Sequence, residues 1–156
     1  PSGMAAGTKF DAEGNLVIAE GNDFGGRRIS KIDMKTGKSY ILAGLYNGRP
    51  YNGPNDLTID EKGRIYFTDP RYFGYEAIEQ PILGVYRIDP DGKVTRIITD
   101  AGKPNGICVS PDQKTLYVIA NDCLGSAGNG EAAFFVSVDS APSGRGFSRH
   151  WGSIVR

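Results

Sequence analysis

One pattern recurs in this chain about every fifty residues, and it restricts the possible folds more than any other feature. Ala6-Gly7-Thr8-Lys9-Phe10-Asp11 runs through a Gly turn into Leu16-Val17-Ile18-Ala19-Glu20. Asn55-Asp56-Leu57-Thr58-Ile59-Asp60 runs through the turn Glu61-Lys62-Gly63 into Ile65-Tyr66-Phe67-Thr68-Asp69. Asn105-Gly106-Ile107-Cys108-Val109-Ser110 runs through Pro111–Lys114 into Leu116-Tyr117-Val118-Ile119. From Asp11 to Asp60 is 49 positions, and from Asp60 to Ser110 is 50. Apolar and polar residues alternate in the paired runs, and turns this short join strands only as antiparallel hairpins.

The second half of each unit repeats as well. Arg28–Asp33 leads through Met34–Lys38 to Tyr40–Leu42, and Val85–Asp89 leads through Pro90–Gly92 to Val94–Thr99. Phe134–Asp139 leads through Ser140–Gly146 to Phe147–Trp151. Each unit therefore reads as four antiparallel strands, with units at about 1–52, 53–102 and 103–156. Helical periodicity is absent. Four strands in a repeat of this length predict an all-β fold, with each unit a β-propeller blade. Propellers close with about four to eight blades, so three cannot complete a ring. Either the chain is a piece of a longer protein, or a homodimer completes the propeller; the first reading is preferred.

The balance of charge narrows the function. Lys plus Arg and Asp plus Glu both number 18, so neither a basic stripe for nucleic acid nor an acidic disordered tract is indicated. The 22 glycines lie between strand-like runs, as a fold with many tight turns requires. No apolar run approaches the ~20 residues needed to cross a bilayer. The opening PSGMAAGTKF lacks both a signal-peptide pattern and an initiator Met, which fits loss of upstream sequence. Compartment stays open. Cys108 lies in the run Ile107–Val109 and is expected as a buried small hydrophobe, and with Cys123 it fits no metal spacing.

The first strand of a propeller blade lines the central channel and begins at one of its mouths. Aligning the units puts Ala6, Asn55 and Asn105 at the same position there. Asn offers a neutral, hard oxygen of the kind Ca²⁺ accepts. Each Asn follows a Pro, and one Pro-Asn pair alone is turn chemistry. Two at equivalent positions of a repeat point instead to a site.

The segments GPNDLTIDEKGRIYFTDPRY, GVYRIDPDGKV and KPNGICVSPDQKTLYV resemble the gluconolactonase, senescence-marker-protein and luciferin-regenerating-enzyme family across essentially the whole chain. The resemblance implies a six-bladed propeller, of which this chain holds about three consecutive blades. It also implies a divalent cation, usually Ca²⁺, in the channel, and hydrolysis of a small-molecule lactone or related ester. By that resemblance Asn105 is a metal ligand, and Asn55 contacts metal or substrate from the preceding blade. Asp56 would orient that strand start, a role it shares with an Asx-turn cap. The family's remaining ligands, a Glu from its first blade and an Asp before Gly-Met that acts as general base, have no counterpart here. An Arg that some members carry two residues before the first Asn is Gly53 in this chain.

Glu20 and Asp69 end equivalent second strands at the same mouth and are candidates for carboxylates near the metal, although such residues also cap hairpin edges. Arg71, Tyr72 and Tyr75 lie in the loop before Gly84, placed to touch a substrate. Asp89-Pro90-Asp91-Gly92 lacks the other positions of a calcium loop and reads as a hairpin turn. The Gly125–Gly130 cluster opens no helix, and His150 has no Ser or Cys elbow to serve. Two rival readings are a propeller that binds without catalysing and a strictosidine-synthase-like propeller without the metal chemistry.

Overall fold

The computed structural model describes residues 3–72 and 74–121, together with the backbone of 132–137. Among them every regular element is a strand. β1 (Ala5–Phe10), β2 (Leu16–Glu20), β3 (Arg28–Ile32) and β4 (Ser39–Ala43) pair antiparallel in chain order as one sheet. A small hairpin follows, β5 (Leu45–Tyr46) and β6 (Arg49–Pro50), which the repeat does not announce. β7 (Leu57–Ile59), β8 (Ile65–Asp69), β9 (Gly84–Ile88) and β10 (Val94–Ile98) make a second sheet of the same order. β11 (Pro104–Val109), β12 (Thr115–Ala120) and β13 (Ala132–Ser137) make a third.

The last of these strands starts two residues before the expected Phe134. Pairing with the whole of β12, as far as Ala120 with Ala132, draws in two alanines that strand propensity would omit. The strand expected at 147–151 lies outside the described residues, as do Cys123, the Gly125–Gly130 cluster and His150.

Local chemistry sets the hairpins. The N–H of Gly14, Gly63 and Gln113 donates to the carbonyls of Asp11, Asp60 and Ser110 at 3.1, 3.0 and 2.9 Å. All three donors have positive φ, +80°, +74° and +61°, which suits the two glycines and strains Gln113. The carboxylates of Asp11 and Asp60 accept further turn N–H groups, which explains an Asp at the strand's end.

The sheets stack face to face. Val17, Ala19 and Ile29 of the first sheet pack on Leu57, Ile65 and Phe67 of the second. Tyr66, Val85 and Ile98, on the second sheet's other face, pack on Ile107, Leu116 and Val118. With neighbours on both sides, β8 is buried at every position. Tyr51 enters the first interface from the connection between sheets, its ring centroid 5.1 Å from Phe67 and 5.2 Å from Tyr86. Truncating an aromatic ring in such a core to Ala costs about 3–5 kcal/mol.

The inner strands lie side by side. Gly7 N–H of β1 donates to the carbonyl of Asn55 at 2.6 Å, and Ile107 N–H of β11 donates to Asp56 Oδ2 at 3.0 Å. Sheets joined along their first strands and stacked through their faces are successive blades of a partial β-propeller. Cys108 departs from expectation: it is exposed. Ile107 and Val109 take the core-facing positions of β11, so strand alternation sends Cys108 to the opposite face, in register with Tyr117. On the first sheet, Phe10 and Ile41 are similarly left exposed on the face away from the second.

Candidate functional site

The inner strands carry an irregularity where the site was expected. Ala5 pairs with Glu20 and Thr8 with Ile18, while Pro104 pairs with Ala120 and Ile107 with Val118. In both sheets the inner strand advances three residues while its partner advances two. The extra residue is a β-bulge, a device that re-aims side chains. Ala6-Gly7 occupies one bulge and Asn105-Gly106 the other. In the second sheet Asn55 N–H donates to the carbonyl of Thr68, and Thr68 N–H to that of Asp56, before regular pairing begins at Leu57. Ala6, Asn55 and Asn105 are therefore structurally equivalent.

Both asparagines are half-buried, and their main chains are firmly held. Asn105 O accepts the Thr68 hydroxyl at 2.7 Å, and Asn55 O accepts Gly7 N–H. Their carboxamides, by contrast, have no hydrogen-bond partner among the described residues. Asn52 shows the opposite arrangement. Its Oδ1 accepts from Glu79 and Gln80 N–H at 3.0 Å each, and its Nδ2 donates to Gln80 O at 2.9 Å. Asn52 builds the loop, whereas Asn55 and Asn105 leave their amides available.

Three carboxylates brace this mouth. Asp56 Oδ1 accepts Leu57 N–H at 2.9 Å while its Oδ2 reaches Ile107 in the next blade, so it fixes both strand starts. Asp69 is fully buried and accepts Asn52 N–H at 3.0 Å and Gly53 N–H at 2.7 Å, which sets the reversal leading into Pro54-Asn55. Burial pushes its carboxyl up to about 7, against the pull of those two N–H groups and Arg27. Glu20 is buried with both oxygens engaged, Oε2 by Arg28 at 2.9 Å and Oε1 by the Ser30 hydroxyl.

The loop after β8 is tied into the same mouth. Arg71 donates to the carbonyls of Asn52, Gly74 and Glu76 and pairs with the Glu76 carboxylate at 3.3 Å. The Tyr72 hydroxyl donates to Lys103 O at 3.2 Å, two residues before Asn105. Arg71 and Tyr72 thus hold the loop, and Tyr75 projects from it, 87% exposed. Sequence reasoning overlooked Glu76, and it placed Thr68 at this edge without its reach to the next blade. Both act across blades, Glu76 on Phe24 N–H over 52 positions and Thr68 on Asn105 over 37, and no local pattern announces these contacts.

Carboxamide oxygens suit a shell of about six to eight oxygens around Ca²⁺. Among the described residues no group of three His, Cys, Asp or Glu side chains could hold a metal. Asn55 and Asn105 therefore fit part of such a shell and bring no neutralising charge to it.

The SMP-30/Gluconolactonase/LRE-like region matches residues 1–126. A gluconolactonase of Zymomonas mobilis is 36% identical over 121 residues, 74% of this chain and 33% of that protein. Lactonase drp35 of Staphylococcus epidermidis is 49% identical over 65 residues, 41% of this chain and 19% of that one. The structure of a gluconolactonase from Xanthomonas campestris superposes with a TM-score of 0.70 at 33% identity, over 85% of this chain and 44% of that one. Streptogramin B lyase, 14% identical, gives a TM-score of 0.62 over 90% of this chain and 40% of its own, and shares the fold alone. The chain spans less than half the length of each of these proteins. On the match of its first 126 residues, the chain belongs to the SMP-30/gluconolactonase/LRE-like family.

Proposed function

We propose that this chain contributes three blades to a lactone hydrolase that works with a divalent cation, Ca²⁺ by the chemistry of its donors. One observation carries the reading: two carboxamides without a hydrogen-bond partner among the described residues, at equivalent inner-strand starts, in a chain of this family. Asn55 and Asn105 would hold the ion through their side-chain oxygens. Bound there, the cation supplies Lewis-acid polarisation of the lactone carbonyl as water attacks. Asp56 keeps the two donors in register by bridging their strands. Asp69 holds the turn that delivers Asn55. It is not assigned as the base that activates water, because it is fully buried with both oxygens on backbone N–H groups. Two neutral ligands imply that the remaining ligands and the base come from beyond the described residues, as does the rest of the ring. Continuation of the chain is preferred to a second copy, since this chain covers 44% of the Xanthomonas structure.

Lactone hydrolysis by the full-length protein, followed by acid release, tests the reading. The expected result is turnover that chelator abolishes, Ca²⁺ restores and Asn105→Ala reduces at least about tenfold. Turnover indifferent to both chelator and Asn105→Ala would overturn it.

A further inference from the structure

We propose that Phe24 and Tyr75 form an aromatic ledge at the channel mouth that takes the aryl or alkyl substituent of an uncharged lactone. This rests on the hydrolase reading above and extends it to a substrate class. Phe24 is 83% exposed, in the loop between β2 and β3, and its ring centroid lies 5.9 Å from that of Tyr75. Two large rings in contact outside the core leave apolar faces to water, an arrangement that favours a ligand of matching character.

The two loops are fastened together rather than merely adjacent. Glu76 accepts Phe24 N–H at 2.7 Å and Asp23 N–H at 3.1 Å, and Arg71 pairs with it. Its own backbone N–H, those of Phe24 and Asp23, and Arg71 hold the Glu76 carboxyl down at about 2, against the opposing effect of burial. Asp23 and Phe24 both have positive φ, +62° and +64°, a backbone that bulky side chains rarely adopt. The chain thus sustains local strain to turn a ring outward, and a carboxylate from the neighbouring blade keeps it there.

Position and charge identify the occupant. β2 and β8 end at the mouth where the inner strands begin, as the pairing of Ala5 with Glu20 shows. Asn22, two residues before Phe24, lies against Gly53, two residues before Asn55. On the other side Tyr72, three residues before Tyr75, reaches Lys103. The ledge therefore stands beside the turn that delivers Asn55, and its second loop is tied through Tyr72 to the segment before Asn105. Among the described residues its cations are engaged, Arg71 with Glu76 and with backbone and Arg27 with the carbonyls of Tyr51 and Ala77. Asp23 adds negative charge beside Phe24, so the ledge favours an uncharged substituent over a phosphorylated or carboxylated one.

The test compares γ-phenyl-γ-butyrolactone with γ-butyrolactone on the full-length protein, wild type against Phe24→Gly/Tyr75→Ala. Gly relieves the positive φ, so the backbone is retained while the ring is lost. Binding is read by saturation-transfer NMR and turnover by steady-state kinetics. The expected result is a loss of phenyl-ring saturation and a KM for the phenyl lactone raised about 3–10-fold, with KM for the unsubstituted lactone within about twofold. Conservative Phe24→Tyr and Tyr75→Phe should keep the preference. Equal phenyl binding by wild type and double variant would overturn the ledge. Selective binding without any hydrolysis would uphold the ledge and count against the hydrolase reading.

Discussion

The carboxylate of Asp56 accepts the backbone N–H of Ile107 at 3.0 Å, so a single side chain ties the inner strand of one blade to that of the next. Its other oxygen holds Leu57 N–H on its own strand. Asp56→Ala leaves both donors without an acceptor, and a cost of about 1–3 kcal/mol is expected. Asp56→Asn retains one acceptor and should cost less. Urea unfolding of the full-length variants measures the difference; equal stability of all three would remove Asp56 from the seam.

Asn105→Ala and Asn55→Ala should behave in the opposite way. Neither carboxamide bonds to a described protein group, so each change should alter stability by no more than about 0.5 kcal/mol. Calcium affinity by calorimetry should nevertheless fall at least about tenfold. Loss of stability with calcium binding intact would make these residues part of the scaffold.

Asp69 predicts a pH dependence with a definite sign. Its carboxyl stands at about 7 in the folded chain and at 3.8 in the reference state. Between those values the folded form keeps a proton that the unfolded form has lost. The stability this group contributes is therefore complete below about pH 4 and is lost as pH rises through about 7. Unfolding free energy of the wild type relative to Asp69→Asn should fall across that window by up to about 4 kcal/mol. A flat difference, or one of opposite slope, contradicts the burial of this carboxyl.

Gly7 should not tolerate a side chain. A Cβ there would lie 2.6 Å from Asp56 Cα and 2.9 Å from Asn55 O, both main-chain atoms with little freedom to withdraw. Gly7→Ala is expected to part β1 from β7 and destabilise by about 1–3 kcal/mol. At Gly53 the obstruction is the Asn22 side chain, at 2.8 Å, so Gly53→Ala should cost less. Thermal unfolding of the two variants ranks them.

Blade architecture was legible in the sequence because its signals are short-range: two-residue alternation, a Gly or Asp at each turn, and a recurring interval. The equivalence of Ala6, Asn55 and Asn105 came from the same interval, and strand pairing reproduces it. What was illegible depends on neighbours. Cys108 sits in an apolar run, yet only the packing of Ile107 against the second blade decides which face of β11 is inside. The Phe24–Tyr75 contact joins residues 51 apart through Glu76, and neither loop alone announces it. The hairpin Leu45–Pro50 was missed because two-residue strands carry no periodicity.

The bulge that presents Asn105 is present in the first blade with Ala6 at the equivalent place. Main-chain geometry there is thus indifferent to what the residue carries, because neighbouring strands and not the amide secure it. Such a position works as an interchangeable socket. A lineage, or a protein engineer, can exchange donors around the axis one blade at a time, altering the chemistry of the channel while its walls stand.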